Sequence, residues 1–137
     1  QTYALTICRL TAQYLTTSFN FYRRARSQCE EIFVLCAENG WQRVALHSIS
    51  DLTEIAVLCA SNHDVHLQCV VDPQCAGDLY HGVPVMADLS GTDDFDTIVI
   101  TNLTNAQGTY DDLVERFSEK PILAPEFMGI SKTKREF

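Results

Sequence analysis

The first forty residues carry a regular pattern of apolar side chains. No proline or glycine occurs between Ile7 and Asn39, and an apolar residue recurs every seven positions, with others three or four positions further on. The stripe comprises Leu15, Phe19, Tyr22, Ala25, Cys29, Ile32, Phe33 and Cys36. This spacing predicts one long amphipathic helix that ends at Asn39-Gly40.

A helix of about thirty residues would be roughly 45 Å long, which exceeds the width of a small domain. We therefore expect part of the stripe to pack against a second copy, giving a homodimer. The predicted dimerisation residues are Leu15, Phe19, Tyr22, Cys29, Phe33 and Cys36. The alternative is two shorter helices folded onto the core, with a break at Thr16-Thr17-Ser18. The segment before the helix, Tyr3-Ala4-Leu5-Thr6, is short and β-like.

After Gly40 the pattern changes to short apolar runs separated by turns. Arg43 to His47 and His66 to Val71 read as buried strands, and Asp51 to about Ser61 reads as the helix between them. Strand, helix and strand within thirty residues predict a βαβ unit with parallel strands. Three further strands are predicted at Val83–Met86, Thr97–Thr101 and Ile122–Ala124, with a loop over Asn102–Thr109 and a helix over Tyr110–Glu119.

The sum is an α/β fold: a small, Rossmann-like, three-layer domain of about five mostly parallel strands in the order 3-2-1-4-5, preceded by the long helix. The expected division is 1–40 for the wing exit and dimerisation helix, 41–125 for the Rossmann-like ligand or assembly domain and 126–137 for a polar tail, frayed from Ser131 onward.

Ligands of open parallel sheets bind outside the carboxyl ends of the strands, where the strand order reverses. The residues predicted at that crevice are Ser48, Ile49, Ser50, Asp51, Asp72, Thr101 and Asn102. The helix that begins at Asp51 would point free N–H groups at an anion there. Asp72 follows the second strand, where an acid can bind ribose hydroxyls.

The glycine fingerprint of dinucleotide sites is absent. Its three glycine positions fall on Ser48, Ser50 and Thr53, whose side chains would keep a pyrophosphate from the backbone and, at Thr53, loosen the contact between helix and strand. The crevice then either binds a small nucleotide-like or anionic ligand, or has lost its ligand and serves as a scaffold. No cofactor is required by the sequence, and NAD or another nucleotide remains open.

No catalytic or metal-binding pattern stands out. A triad could be drawn from Ser48 or Ser50 with His47 and Asp72, but adjacent strand residues point in opposite directions. His63-Asp64-Val65-His66 supplies too few converging ligands for a metal site. Without any C-x-x-C pair, the six cysteines are expected to be reduced, buried thiols of a cytoplasmic protein.

Apolar residues make up 46% of the chain and its net charge is −8, unevenly spread. Residues 41–120 carry thirteen acidic and three basic groups, so this part should repel nucleic acid. Arg23-Arg24-x-Arg26 is expected to be a solvated helix face, or else to grip DNA or an acidic neighbour. No apolar run is long enough for a membrane span. Because the chain begins at Gln1, we expect a fragment or a processed product.

Two stretches resemble known families. Arg43 to Asp72, with Gly82-Val83-Pro84-Val85 and Phe95 to Ile100, is similar to Rossmann-like ligand domains of sugar-nucleotide acyltransferases and of bacterial regulators. Tyr3-Ala4-Leu5-Thr6 and the helix after it resemble the exit from the wing of a winged-helix DNA-binding domain.

Together these resemblances imply the carboxyl-terminal, non-enzymatic, regulatory part of a bacterial winged-helix transcription regulator. DNA would then be contacted only through a region missing from this chain. Two alternatives stay open: a nucleotide- or sugar-nucleotide-binding domain of an enzyme whose catalytic module lies elsewhere, and a fragment of an NAD-dependent oxidoreductase.

Overall fold

The computed structural model describes residues 2–132, which form an α/β fold with a long amino-terminal helix. The helices are α1 (Thr2–Glu38), α2 (Asp51–Ala60) and α3 (Ala106–Arg116). The strands are β1 (Arg43–His47), β2 (His66–Val71), β3 (Leu79–Tyr80), β4 (Val83–Met86), β5 (Thr97–Ile100) and β6 (Ile122–Leu123). Short 3₁₀ turns lie at Pro73–Cys75 and Glu126–Met128.

The six strands form one sheet in the order β3-β4-β2-β1-β5-β6. β1 pairs in parallel with both β2 and β5, so the predicted parallel β-α-β unit is confirmed. The sheet differs from the predicted one by β3, which lies at the edge and pairs antiparallel with β4. The hairpin turns at His81 and Gly82, both with positive φ. Positive φ at both central residues suits a two-residue hairpin, but His-Gly is a weaker sequence signal than Asn-Gly.

The core lies on both faces of the sheet. α1 and α2 cover one face, where Val44, Leu46 and Val70 point toward them. α3 covers the other face, with Tyr110 and Leu113 packed among alternate strand residues. Because successive strand residues point to opposite faces, the apolar runs of β1, β2 and β5 supply both halves of the core.

α1 is a single helix of 37 residues, about 55 Å long. The predicted long helix is thereby confirmed, and the alternative of a break at Thr16-Thr17-Ser18 is wrong. The β-like interpretation of Tyr3-Ala4-Leu5-Thr6 is also wrong, because the helix already begins at Thr2. Its predicted end is confirmed: Gly40 has a φ of +75°, and the Trp41 N–H donates 2.9 Å to the carbonyl of Cys36.

The two halves of α1 have different surroundings. From Ala25 onward the stripe packs against α2 and the sheet, and Cys29, Phe33 and Cys36 are no more than 1% exposed. The prediction that these last three residues meet a second copy is therefore corrected: α2 and the sheet of the same chain already cover them. Residues 4–20 are exposed throughout. Residues 4–22 are called the arm below.

Three further predictions need correction. α3 begins at Ala106, after a loop in which the Asn105 N–H donates to the Asn102 side chain, and it ends at Arg116, where the Phe117 N–H donates to the Leu113 carbonyl. The tail is not frayed at Ser131, whose N–H donates 2.8 Å to Gln107, while residues 133–137 lie outside the described part. Four cysteines are buried as expected, but Cys8 is exposed and Cys75 is half-buried.

Among residues 2–132, no helix combines the length and the apolar character that a bilayer crossing requires.

Candidate functional site

The carboxyl ends of β1, β2 and β5 meet at the turn that joins β1 to α2. Ser48 in this turn has a φ of +87°, a conformation that favours glycine. This is the residue at the first glycine position of the dinucleotide fingerprint. A serine with positive φ thus occupies this position.

The start of α2 is closed by a reciprocal cap. The Ser50 side chain accepts the Leu52 N–H at 3.1 Å, and the Thr53 hydroxyl accepts the Ser50 N–H at 2.9 Å. The N–H groups of Thr53 and Glu54 donate to the Ser50 carbonyl at 3.0 and 3.4 Å. The expectation of free N–H groups for an anion is thus wrong at residues 52 to 54, because the helix start uses them internally.

Two buried threonines tie the turn to the sheet. The hydroxyls of Thr53 and Thr101 donate to the Ser48 carbonyl at 2.6 and 2.5 Å. The Ser50 hydroxyl donates 2.6 Å to the Thr101 carbonyl. Thr53 and Thr101 are both completely buried. The prediction that Thr53 loosens the contact between helix and strand is therefore wrong, since its hydroxyl joins the helix to the turn.

Asp72 lies in the crevice as predicted, and its carboxylate is engaged by backbone groups. One oxygen accepts the Ile49 N–H at 3.3 Å, and the other accepts the Gln74 N–H at 3.0 Å. The second bond caps the 3₁₀ turn that follows β2. Asp72 thus connects the ends of β1 and β2.

The other two predicted crevice residues are directed elsewhere. Asp51 is exposed and lines a groove between α1 and α2. Asn102 accepts the N–H groups of Thr104 and Asn105 and donates 3.2 Å to the Thr109 hydroxyl. The structure therefore brings together Ser48, Ile49, Ser50, Asp72 and Thr101, without Asp51 and Asn102.

His47 is a residue of this edge that the sequence prediction left out of the site. It ends β1 on the face that carries α3, and burial lowers its pKa, helped by the positive charge of Arg116. The Ser48 hydroxyl lies 3.5 Å from its Nδ1. The strict alternation of side chains along β1 could have placed it there. The Asp72 carboxylate accepts the backbone N–H groups of Ile49 and Gln74 and has no hydrogen bond to the His47 ring among the described residues, so these residues do not form a triad.

No cluster of three or more potential metal ligands exists among the described residues. The His63 ring packs against Phe33, with ring centres 6.1 Å apart, and His66 is exposed at the start of β2.

Two grooves flank the point where the arm leaves the domain. The first, of about 580 Å³, lies between α1 and α2 and has Asp51 and Glu54 on its rim. The second, of about 620 Å³, lies beside Phe127 and carries Arg23 and Arg24. Arg26, the third arginine of that run, pairs with Glu30 at 3.6 Å.

Polar atoms of Ser50, Asp72 and Thr101 at the crevice are thus hydrogen-bonded within the chain itself, while the arm and its grooves face solvent. Comparisons with protein-family models, with curated proteins and with solved structures find no match to this chain.

Proposed function

We propose that the chain is a non-enzymatic assembly and regulatory domain that acts as a dimer joined through the arm of α1. The observation that carries this proposal is the exposure of seven large apolar side chains along the arm, between 39% and 70% each. They are Leu5, Ile7, Leu10, Tyr14, Leu15, Phe19 and Tyr22.

Such a surface is costly for a lone chain in water. Complete burial of one large apolar side chain contributes about 1.5–3 kcal/mol. Contiguous exposed apolar surface is typical of interaction sites. The arm does not fold back onto its own domain, because α1 continues as one uninterrupted helix through Glu38 and residues 4–20 stay exposed. A second copy offers an equally apolar and equally long partner.

The hydrogen-bonded crevice favours a scaffold role for the sheet. The layers and parallel strands of the sheet domain fit a Rossmann-like domain. The side chains of Ser50, Asp72 and Thr101 are hydrogen-bonded to backbone groups of the chain itself. We propose that the domain belongs to a winged-helix regulator whose DNA contacts lie outside these residues. The free cysteines fit a cytoplasmic location.

Light scattering coupled to gel filtration tests the dimer directly. The wild type should have twice its 15.4 kDa chain mass. Leu15→Glu with Phe19→Glu should yield monomers with unchanged circular dichroism, because both side chains lie outside the core. The matched control is Gln13→Glu with Asn20→Glu, which adds the same charge at exposed polar positions of the same helix. A monomeric wild type at about 100 μM, where even micromolar affinity would give dimers, would overturn the proposal.

A second candidate function is the binding of a small anionic or nucleotide-like ligand at the crevice. The observation in its favour is Ser48, which holds a positive φ without being glycine, since strained backbone clusters at functional sites. Thermal shift measurements with NAD, NADH, CoA, ATP and nucleotide sugars test it. A specific ligand at 100 times its Kd should stabilise the fold by about 2.7 kcal/mol. Unchanged melting with all of them would favour the scaffold role.

A further inference from the structure

The groove beside Phe127 has an aromatic wall. The groove has a volume of about 620 Å³ and lies between α1 and the 3₁₀ turn Glu126–Met128. Phe21 of α1 and Phe127 of the turn form an edge-to-face pair, with ring centres 5.7 Å apart. The Phe127 N–H also donates 2.7 Å to the Gln28 side chain. These two contacts hold the aromatic wall in place against α1.

The other side of the groove is basic. Arg23 and Arg24 line it together with Asn20 and Thr17. Asn20 lies three residues before Arg23 and four before Arg24, so the three side chains are neighbours on the surface of α1. Long side chains on a helix point back toward its amino terminus, and the Arg23 guanidinium accordingly lies 5.8 Å from the centre of the Phe19 ring. The basic side thus combines two guanidinium groups with an amide and a hydroxyl, all of which can donate hydrogen bonds to an anion.

Arg23 and Arg24 are exposed and have no ion pair among residues 2–132, although the chain has a net charge of −8. The acidic residue next to Phe127, Glu126, is also exposed and pairs with neither of them in this part of the chain. Three other arginines each pair with a carboxylate: Arg26, Arg43 and Arg116. Two adjacent positive charges without a carboxylate repel each other, and a bound anion would relieve this repulsion.

We propose that this groove binds a small organic phosphate with a planar ring, of the nucleoside monophosphate class. The two arginines hold the phosphate by charge-assisted hydrogen bonds, and the ring stacks on the half-buried Phe127. This inference goes beyond the assembly role proposed above and does not depend on the dimer, because all the residues of the groove belong to one chain.

Charge favours a small ligand over a nucleic acid in this groove. Residues 41–120 carry a net charge of −10 and repel a polyanion that extends over the domain. A single phosphate interacts mainly with the groove, because charges more than about 8 Å away are screened at physiological salt. The groove volume lies within the range of about 300–1,000 Å³ that is typical of small-molecule sites. One phosphate with one base satisfies both conditions.

Isothermal titration calorimetry with AMP, GMP, CMP and UMP tests the basic side of the site. For the nucleotide that binds most tightly, Arg23→Gln and Arg24→Gln should each raise the dissociation constant about tenfold, because each removes a charge-assisted hydrogen bond to the phosphate. Arg26→Gln is the matched control. It makes the same charge change at an exposed position of the same helix, but Arg26 pairs with Glu30 and does not line the groove, so affinity should stay within about twofold of wild type.

Ribose 5-phosphate, which lacks a base, tests the aromatic wall. The wild type should bind the nucleotide about tenfold more tightly than ribose 5-phosphate, since stacking on an aromatic side chain adds affinity. Phe127→Leu keeps an apolar side chain and loses the ring. It should remove this difference and leave the affinity for ribose 5-phosphate unchanged, with urea unfolding used to check that the variant remains folded.

Three results would overturn the inference. The first is the absence of binding by all four nucleotides at about 10 mM. The second is equal affinity in wild type, Arg23→Gln and Arg24→Gln, which would place the nucleotide elsewhere, such as at the crevice. The third is a loss in Arg26→Gln as large as that in Arg24→Gln, which would show a general effect of charge. Equal binding of nucleotide and ribose 5-phosphate by the wild type would overturn the stacking on Phe127. The dimer proposed above is judged separately, by light scattering.

Discussion

The Thr53 hydroxyl donates a hydrogen bond of 2.6 Å to the carbonyl oxygen of Ser48. It thereby links the first turn of α2 to a residue whose backbone has the left-handed conformation. Thr101 donates to the same oxygen from the neighbouring strand β5. In a dinucleotide site this space would be kept open by glycines. Here the hydroxyls of Thr53 and Thr101 bond to the turn, so that the turn connects the sheet to α2.

Replacement of Thr53 by valine should therefore destabilise the fold. The side chain keeps its shape and loses its hydroxyl, so the N–H of Ser50 loses its acceptor and the Ser48 carbonyl loses one donor. We expect the free energy of unfolding in urea to fall by about 1–3 kcal/mol. Thr53→Ser, which keeps the hydroxyl, should lose less. Equal midpoints for Thr53→Val and wild type would contradict the structural role of this hydroxyl.

Ser48→Gly should have the opposite effect. Glycine adopts a φ of +87° without the steric penalty that a Cβ introduces. We expect the strain removed from the folded state to exceed the stability lost through the greater conformational entropy of the unfolded chain. We expect a gain of up to about 1 kcal/mol in chemical unfolding. The control is Ser61→Gly, where φ is −65° at the end of α2 and glycine should only destabilise. If Ser48→Gly lowered the free energy of unfolding as much as Ser61→Gly, the turn at Ser48 would not be strained.

Replacement of Asp72 should lower the stability of the fold. Its two carboxylate oxygens accept the N–H groups of Ile49 and Gln74, and alanine would leave both donors without this acceptor. Asp72→Ala is expected to lower stability by about 1–3 kcal/mol, measured by urea unfolding without any ligand. Asp72→Asn keeps one acceptor oxygen and should cost less. An unchanged midpoint for Asp72→Ala would instead favour an acid reserved for ribose hydroxyls.

The predictable parts of the fold were those set by local patterns. The apolar runs of β1 and β2 and the glycine at position 40 specify strands and a helix end within a few residues of sequence. The bond of Thr101 to Ser48 could not be predicted in this way. It depends on β5 lying beside β1, 53 residues apart in the chain, which is a tertiary relationship.

The dimerisation stripe shows the same limit. Its period of seven residues is continuous from Leu15 to Cys36, so periodicity treats both halves alike. Only the position of α2 and the sheet separates them, because these elements cover Cys29, Phe33 and Cys36 and leave Leu15 and Phe19 exposed. A periodic pattern specifies which face of a helix is apolar, and the rest of the fold determines how much of that face is already buried.

His47 should make stability depend on pH just below neutrality. Burial, with a smaller effect of Arg116, lowers its pKa in the folded state below the ordinary value of 6.5. The unfolded chain therefore binds a proton at a higher pH than the folded chain. The stabilisation is complete above pH 6.5 and decreases as the pH falls through 6.5 toward the folded-state pKa. Urea unfolding between pH 7.5 and 5.5 should show this decline in the wild type.

The variant His47→Gln removes the titrating group and should reduce the dependence of stability on pH over this range. His66→Gln, at an exposed position at the start of β2, is the matched control and should retain the wild-type profile. The carboxyl groups of Asp88 and Asp96 do not interfere, because hydrogen bonds from Ser90 and Arg43 respectively hold their pKa values below 3.8. An equally steep decline in wild type and His47→Gln would show that another group controls stability here.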